Sequence, residues 1–449
     1  MKDASNTMIA LLEAHKAGLW SPKNWGPNVI AGIIVGIVAM PLAMAFAIAS
    51  GATPQQGLYT SIVAGACAAL FGGSRLQVTG PTGAFVVILA GITSKYGIQG
   101  LQIATAMAGV MLVAMGMAKI GGVIKFIPDP VIVGFTAGIG TIIFVGQWKD
   151  FFGLPATAGS HFHEKFLHLL ESLPQLDPRT SAIGALSLFI LLVFPRLRGP
   201  RNRWRFLHLL QKIPAPMVAL IVATAIQSTL SFPSVATIGS TYGGISRSLP
   251  SFELLPINLT TLLQLVGPAF AIALLGSIES LLSAVVADGM AGTRHDSNQE
   301  LIGQGIANIV SPLFGGFAAT GALARTATNI RSGATSPIAS LVHCVTLVLI
   351  ILIAAPLAYN IPLCSLAAIL FVVAWNMAEL PHLFSILRKA PKADIATLAI
   401  TFLLTVFVDL ITAVYIGVIV ASLLFMKRMA SSVKVHRDTH TTISDELQS

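Results

Sequence analysis

Apolar runs follow one another along almost the whole chain, beginning near Val29, Gly57, Val78, Leu101, Pro130, Thr180, Ala215, Val266, Leu301, Thr320, Ile338, Leu363, Ala393 and Ile411. A helix needs roughly 20 residues, each rising about 1.5 Å, to cross the hydrocarbon of a bilayer, and most of these runs reach that length. Lipid offers a bare peptide group no hydrogen-bond partner, so a chain crosses it as helices or as a closed barrel. Runs this long are helical, and about fourteen of them predict an all-α polytopic membrane protein. Composition agrees. Hydrophobic residues make up 55% and charged residues only 10%, against about 25% charged in a soluble domain.

The net charge of +9 is placed for topology rather than for nucleic acid. Its densest cluster is "RLRGPRNRWR", Arg196 to Arg205, between the sixth and seventh runs; Lys119 and Lys125, "RKAPK" and "KRMASSVKVHR" supply the rest. Loops rich in Lys and Arg stay in the cytoplasm. With the N-terminus inside, the loops after runs four, six and twelve fall there, and an even number of spans returns the basic tail to the same side. The start, "MKDASNTMIALLEAHKAGLW", lacks the pattern of a cleaved signal peptide and reads as a short amphipathic lead-in. The expected organisation is a cytoplasmic segment 1–27, a transmembrane domain 28–427 and a cytoplasmic tail 428–449. Cys67, Cys344 and Cys364 lie in apolar runs with no metal-ligand spacing, so neither metal nor thiol chemistry is expected.

Two runs are too short or too broken to cross comfortably. "VTGPTGAFVVILAGITS" opens on two glycines and a proline, and "TGALARTATNIRSGATSP" is polar and ends on proline. Each is the third run of its half, and their Thr-Gly pairs, Thr79–Gly80 and Thr320–Gly321, are 241 residues apart (320 − 79). Seven spans is an odd number, so two such halves must be inverted with respect to each other. Paired, Gly/Pro-interrupted segments at matching positions of two halves mark a transporter's binding site. Half-helices meeting N-terminus to N-terminus present unpaired N–H groups and partial positive charge, which together suit an anion.

Charge inside these runs is costly and therefore informative. Arg325 falls in the first turns of the second short helix, where it either completes an anion site or neutralises a carboxylate. Arg331, six residues on, reads as an edge or packing arginine. The candidate carboxylate is Glu279 in "AIALLGSIESLLSAVVADG", which shares a helix face with Ser283; an acid and hydroxyl there suit a coupling cation or proton. Asp288, Asp296 and Glu300 read as loop and capping charges, with "DSNQE" a helix start. Asp409 reads as a loop or interface residue.

The stretches "AGIIVGIVAMPLAMAFAIASGATPQQGLYTS", "GGSRLQVTGPTGAF", "FIPDPVIVGFTAGIG", "GSIESLLSAVVADGMAGTRHDSNQELIGQGIANIVSPLFGG" and "TGALARTATNIRSGA" together resemble the sulfate permease (SulP) family of anion transporters. The resemblance covers roughly Asn24 to Met429. It implies two inverted seven-helix repeats with short half-helices 3 and 10. A core (28–120 and 266–358) would move against a gate (128–230 and 362–427). It also implies an anion site made by Thr79, Gly80, Thr82, Ala324 and Arg325, faced by Phe46. The acid and hydroxyl that hold sodium in cation-coupled bicarbonate carriers of the family fall on Glu279 and Ser283. Glu replaces Asp and Ser replaces Thr, which favours a proton over sodium. Leu42 follows Pro41 where many members carry glutamine. Members usually continue into a cytoplasmic STAS domain, and this chain ends at Ser449, soon after "LLFMKRMA".

The function expected is secondary active uptake of a small oxyanion, sulfate first, then bicarbonate or a dicarboxylate, coupled to H+ or Na+ and otherwise free of cofactors. A homodimer in a bacterial inner membrane, with no nucleic-acid partner, is expected. A nucleobase permease would place carboxylates at the half-helices, against Arg325, and a passive anion channel would not need Glu279. Enzymatic function finds no nucleophile–base pair, metal spacing, Gly-x-Ser-x-Gly or phosphate-binding loop in the sequence.

Overall fold

The computed structural model describes residues 9–122, 129–155, 162–196 and 214–408, with 416, 419, 420 and 423 beyond them. Most of the arginine-rich loop, Lys125, Asp409, nearly all of the fourteenth run and the basic tail lie outside the described residues.

A short helix α1 (Ala10–Lys16) precedes α2 (Pro22–Ala49) and α3 (Pro54–Phe71). Helix α2 starts ahead of its apolar run because Ser21 is extended and Pro22 occupies the first turn, where a missing N–H costs nothing. Thr53 and Gln56 form a reciprocal capping box at the start of α3. The third and fourth runs are one element, α4 (Gly83–Met117), broken where Gly97 takes φ 70°. There follow α5 (Asp129–Gly146), α6 (Trp148–Phe152), α7 (Phe162–Ser172), α8 (Pro178–Val193), α9 (Ala215–Leu230) and α10 (Ile238–Tyr242).

The second half opens with α11 (Leu259–Ala291), which begins seven residues before its apolar run at an Asn258 cap. It continues through α12 (Ser297–Leu313), α13 (Leu323–Arg331), α14 (Ile338–Ala354), α15 (Leu363–Met377), α16 (Leu380–Lys389) and α17 (Lys392–Phe407). Helices or broken helices therefore stand at the first thirteen runs. Among the described residues six helices are long and apolar enough to cross a membrane unaided, seven if the bent pair around α7 and α8 is one span. The rest are shorter or, like α3 with its polar first turns, less apolar.

Two groups of helices pack mainly within themselves. Helices α2, α3, α4, α11, α12, α13 and α14 form one, and α5, α8, α9, α15 and α17 form most of the other. Small residues set the closest approaches in the first group, as between membrane helices generally. A side chain at Gly305 of α12 would lie 2.7 Å from the Gly109 carbonyl of α4 and 2.6 Å from Val113. The groups meet chiefly where α15 crosses α2, with α5 and α15 also touching α4 and α9 touching α2.

The two Thr-Gly pairs are strands β1 (Thr79–Gly80) and β2 (Thr320–Gly321), joined antiparallel with Thr79 opposite Gly321 and Gly80 opposite Thr320. Each feeds directly into a half-helix. Non-helical backbone at membrane depth must be satisfied by protein, and here polar side chains from across the fold do it. Thr326 accepts from the Val78 N–H (3.0 Å), Asn329 donates to the Leu76 carbonyl (2.9 Å) and Ser340 to the Gln77 carbonyl (2.8 Å). On the other side Asn308 bonds both the N–H (2.9 Å) and the carbonyl (2.8 Å) of Ala319, and Thr60 accepts from the Phe317 N–H (2.9 Å).

Candidate functional site

The half-helices lead off from the strand crossing, and neither is capped by its own residue. Thr82 sits at the N-cap of α4 in extended conformation, yet its hydroxyl makes no cap bond. It donates instead to Glu279 Oε2 at 2.7 Å. At α13 the N-cap is Ala322, which has nothing to cap with. Two sets of first-turn N–H groups are thus left without a capping side chain among the described residues, in the part of a helix that favours negative charge.

Arg325 lies in the first turn of α13 and is only 1% exposed. Its guanidinium packs on β1 so closely that a side chain at Gly80 would strike Nη1, which explains the glycine. Nη2 donates to the Pro81 carbonyl at 3.0 Å, and Nη1 reaches Ser61 Oγ at 3.5 Å. Among the described residues no carboxylate stands within ion-pair distance of it. The pairing of Arg325 with Glu279 that the sequence left open is therefore not made. A guanidinium has five N–H donors, and the protein partners found for it are two neutral oxygens.

The expected residues divide by location. Thr79, Gly80, Thr82 and Arg325 come together at the crossing. Phe46 is buried on α2 and faces the start of α4, its Cε1 lying 3.4 Å from where a side chain at Gly83 would begin; Met377 of α15 would be met there at 2.6 Å. Ala324 is exposed on α13. Glu279 and Ser283 share α11 but reach different half-helices: Glu279 bonds Thr82 of α4, while Ser283 donates to Thr326 of α13 at 3.3 Å. Arg331 is exposed at the C-terminal end of α13, where positive charge suits the helix dipole. Asp296 does cap α12, accepting from the N–H groups of Asn298 and Gln299 at 2.9 and 3.0 Å.

Glu300 is different from its capping assignment. It is 2% exposed, and its carboxylate collects N–H donors from Gly73 and Ser74 (both 3.0 Å), Gln77 (2.9 Å) and Gln304 (2.8 Å). A helix-start motif hides such a residue, because position alone does not tell an exposed first-turn acid from one under a neighbouring loop. Ser280 was also missed. It bonds Thr320 Oγ1 at 2.7 Å and accepts from the Gly321 N–H at 3.2 Å, tying α11 to β2. Its spacing of three from both Ser277 and Ser283, which puts the three hydroxyls along one side of α11, was the available signal.

Comparison with known proteins agrees with this fold. A model of the Sulfate permease family matches residues 27–401. A putative sulfate transporter of Bacillus subtilis is 47% identical over 420 residues, covering 93% of this chain and 77% of the relative. The bicarbonate transporter BicA of Picosynechococcus sp. is 33% identical over 440 residues, covering 94% and 73%. Among solved structures, the transmembrane domain of a cyanobacterial BicA superposes with TM-score 0.72 at 28% identity, over 88% of this chain and 97% of that one. Murine Slc26a9 shares the fold with TM-score 0.79 at 22% identity, over 95% and 74%. The chain belongs to the sulfate permease family, whose members are membrane anion transporters and not enzymes.

Proposed function

We propose that the chain is a secondary active transporter of a small inorganic oxyanion, with sulfate the favoured substrate. The anion sits between the first turns of α4 and α13, held by Thr79, Gly80, Thr82, Ala324 and Arg325 and faced by Phe46. The observation that carries this is the buried Arg325 guanidinium, which lies by two uncapped helix N-termini with no carboxylate among the described residues to neutralise it. An unneutralised charge at that depth is expensive, and a mobile anion is the partner that makes it tolerable. The relatives named as sulfate transporters favour the choice of anion. Bicarbonate is the second reading, favoured by the BicA relatives.

Transport runs by alternating access of the core (28–120 and 266–358) against the gate (128–230 and 362–427), whose described helices pack mainly within each group. Glu279, with Ser283, supplies the coupling site for H+ or Na+. Its bond to Thr82 links the charge at 279 to the first turn of α4, so coupling ion and anion act on one element. The protein works as a homodimer in a bacterial inner membrane, with both termini cytoplasmic.

Binding of sulfate, bicarbonate and a dicarboxylate to purified wild-type protein and Arg325→Ala tests the site. Losing a charge-assisted bond to an ionised ligand removes about 1.5–3 kcal/mol, which is roughly tenfold to a hundredfold in affinity. Undiminished affinity in a folded Arg325→Ala protein contradicts the assignment.

A further inference from the structure

Glu300 and Gln304 of α12 lie outside the residues proposed to bind the anion, yet they end on one that is. Four N–H groups and, among the described residues, no acceptor face the Glu300 carboxylate, so it serves as an acceptor only. It therefore fixes which end of the Gln304 amide points at it, namely the NH2 group. That same Nε2 donates its second hydrogen to Thr79 Oγ1 at 2.7 Å. The orientation comes at the expense of Gln304 Oε1, which is buried without a hydrogen-bond partner, an arrangement that normally calls for an explanation.

The consequence falls on Thr79. A hydroxyl has one hydrogen to give and two lone pairs to receive. With Gln304 occupying a lone pair, the Thr79 hydrogen is left free, and no protein acceptor for it is found among the described residues. An anion takes donors only. We propose that Glu300 and Gln304 are positioning residues that set the direction of a hydrogen-bond chain, carboxylate to amide to hydroxyl, so that Thr79 is held as a donor for the transported anion. Bonds in such a chain polarise one another, and the charged end strengthens the rest. The inference rests on the anion-site assignment above.

Reversal of the chain is the alternative that Glu300 forbids. Glutamine at 300 can donate to Gln304 Oε1, which lets the 304 amide turn over, accept the Thr79 hydrogen and remove it from the anion. The test measures sulfate and bicarbonate affinity and thermal melting for purified wild type, Thr79→Val, Thr79→Ser, Glu300→Gln and Gln304→Leu, and for the latter two combined with Thr79→Val. Thr79→Val, Glu300→Gln and Gln304→Leu are each expected to weaken binding about tenfold, the loss of one good hydrogen bond to a charged ligand, and Thr79→Ser to keep it. In the Thr79→Val background neither partner change should weaken binding further, because there is no hydroxyl left to orient. Additive losses, or full affinity in folded Gln304→Leu beside weakened Thr79→Val, overturn the inference and leave the site standing. Full affinity in Thr79→Val overturns the placement of Thr79 in the site itself. If Glu300→Gln does not fold, the Gln304→Leu pair decides the matter alone.

Discussion

At the scale of single residues, two ionisable side chains in an apolar setting set the function proposed, and each has well-defined neighbours. Arg325 donates to the Pro81 carbonyl and packs on Gly80; Glu279 accepts from Thr82. Arg325→Lys keeps a charge but loses the planar fork, so it should recover part of the anion affinity lost in Arg325→Ala when binding is titrated in the purified protein. Full recovery would mean that charge alone suffices. Glu279→Gln keeps an acceptor for Thr82 and removes the titratable charge. Anion binding should persist while gradient-driven accumulation fails, and continued accumulation by the mutant would make Glu279 a structural residue. These residues were legible in the sequence because a charge within an apolar run is costly wherever the fold puts it. Their partners were not legible. Arg325 and Pro81 are separated by 244 residues and Glu279 and Thr82 by 197, and no local pattern encodes contacts at that range.

At the scale of elements, the helices were readable and the strands were not. Long apolar runs bounded by proline and glycine give α2, α5, α11 and α15 with ends shifted by a few residues, since caps such as Asn258 lie outside the apolar stretch. A strand of two residues has no period to detect. What the sequence did show was the repeated Thr-Gly in two interrupted runs, and those are the residues that pair. The pairing survives at membrane depth because side chains such as Asn308 satisfy the backbone around it. Asn308→Leu leaves the Ala319 N–H and carbonyl without these partners, and each buried orphan costs about 1–3 kcal/mol. A clear fall in melting temperature is expected by scanning fluorimetry; unchanged melting would mean that water replaces the amide. Gly305→Leu should separate α12 from α4 and also lower the melting temperature, because its neighbours at 2.6 and 2.7 Å include backbone.

At the scale of the whole molecule, the proposed orientation rests on the charge distribution, and the proposed movement of core against gate rests on the division into two packed groups. Accessibility tags after Gly199 and at Ser449, both outside the described residues, should report the cytoplasm, because arginine-rich loops resist translocation. A periplasmic report from either would break the fourteen-span arrangement. In the proposed mechanism an ion gradient drives a small oxyanion uphill through the Arg325 site. Proteoliposomes holding the purified wild-type protein, given sulfate or bicarbonate outside and a proton or sodium gradient imposed separately, measure this directly. Accumulation above the external concentration under one of the two gradients, abolished in Arg325→Ala, is the predicted result. Movement of the anion only down its own gradient, whichever cation gradient is applied, would contradict it and leave a passive conductor.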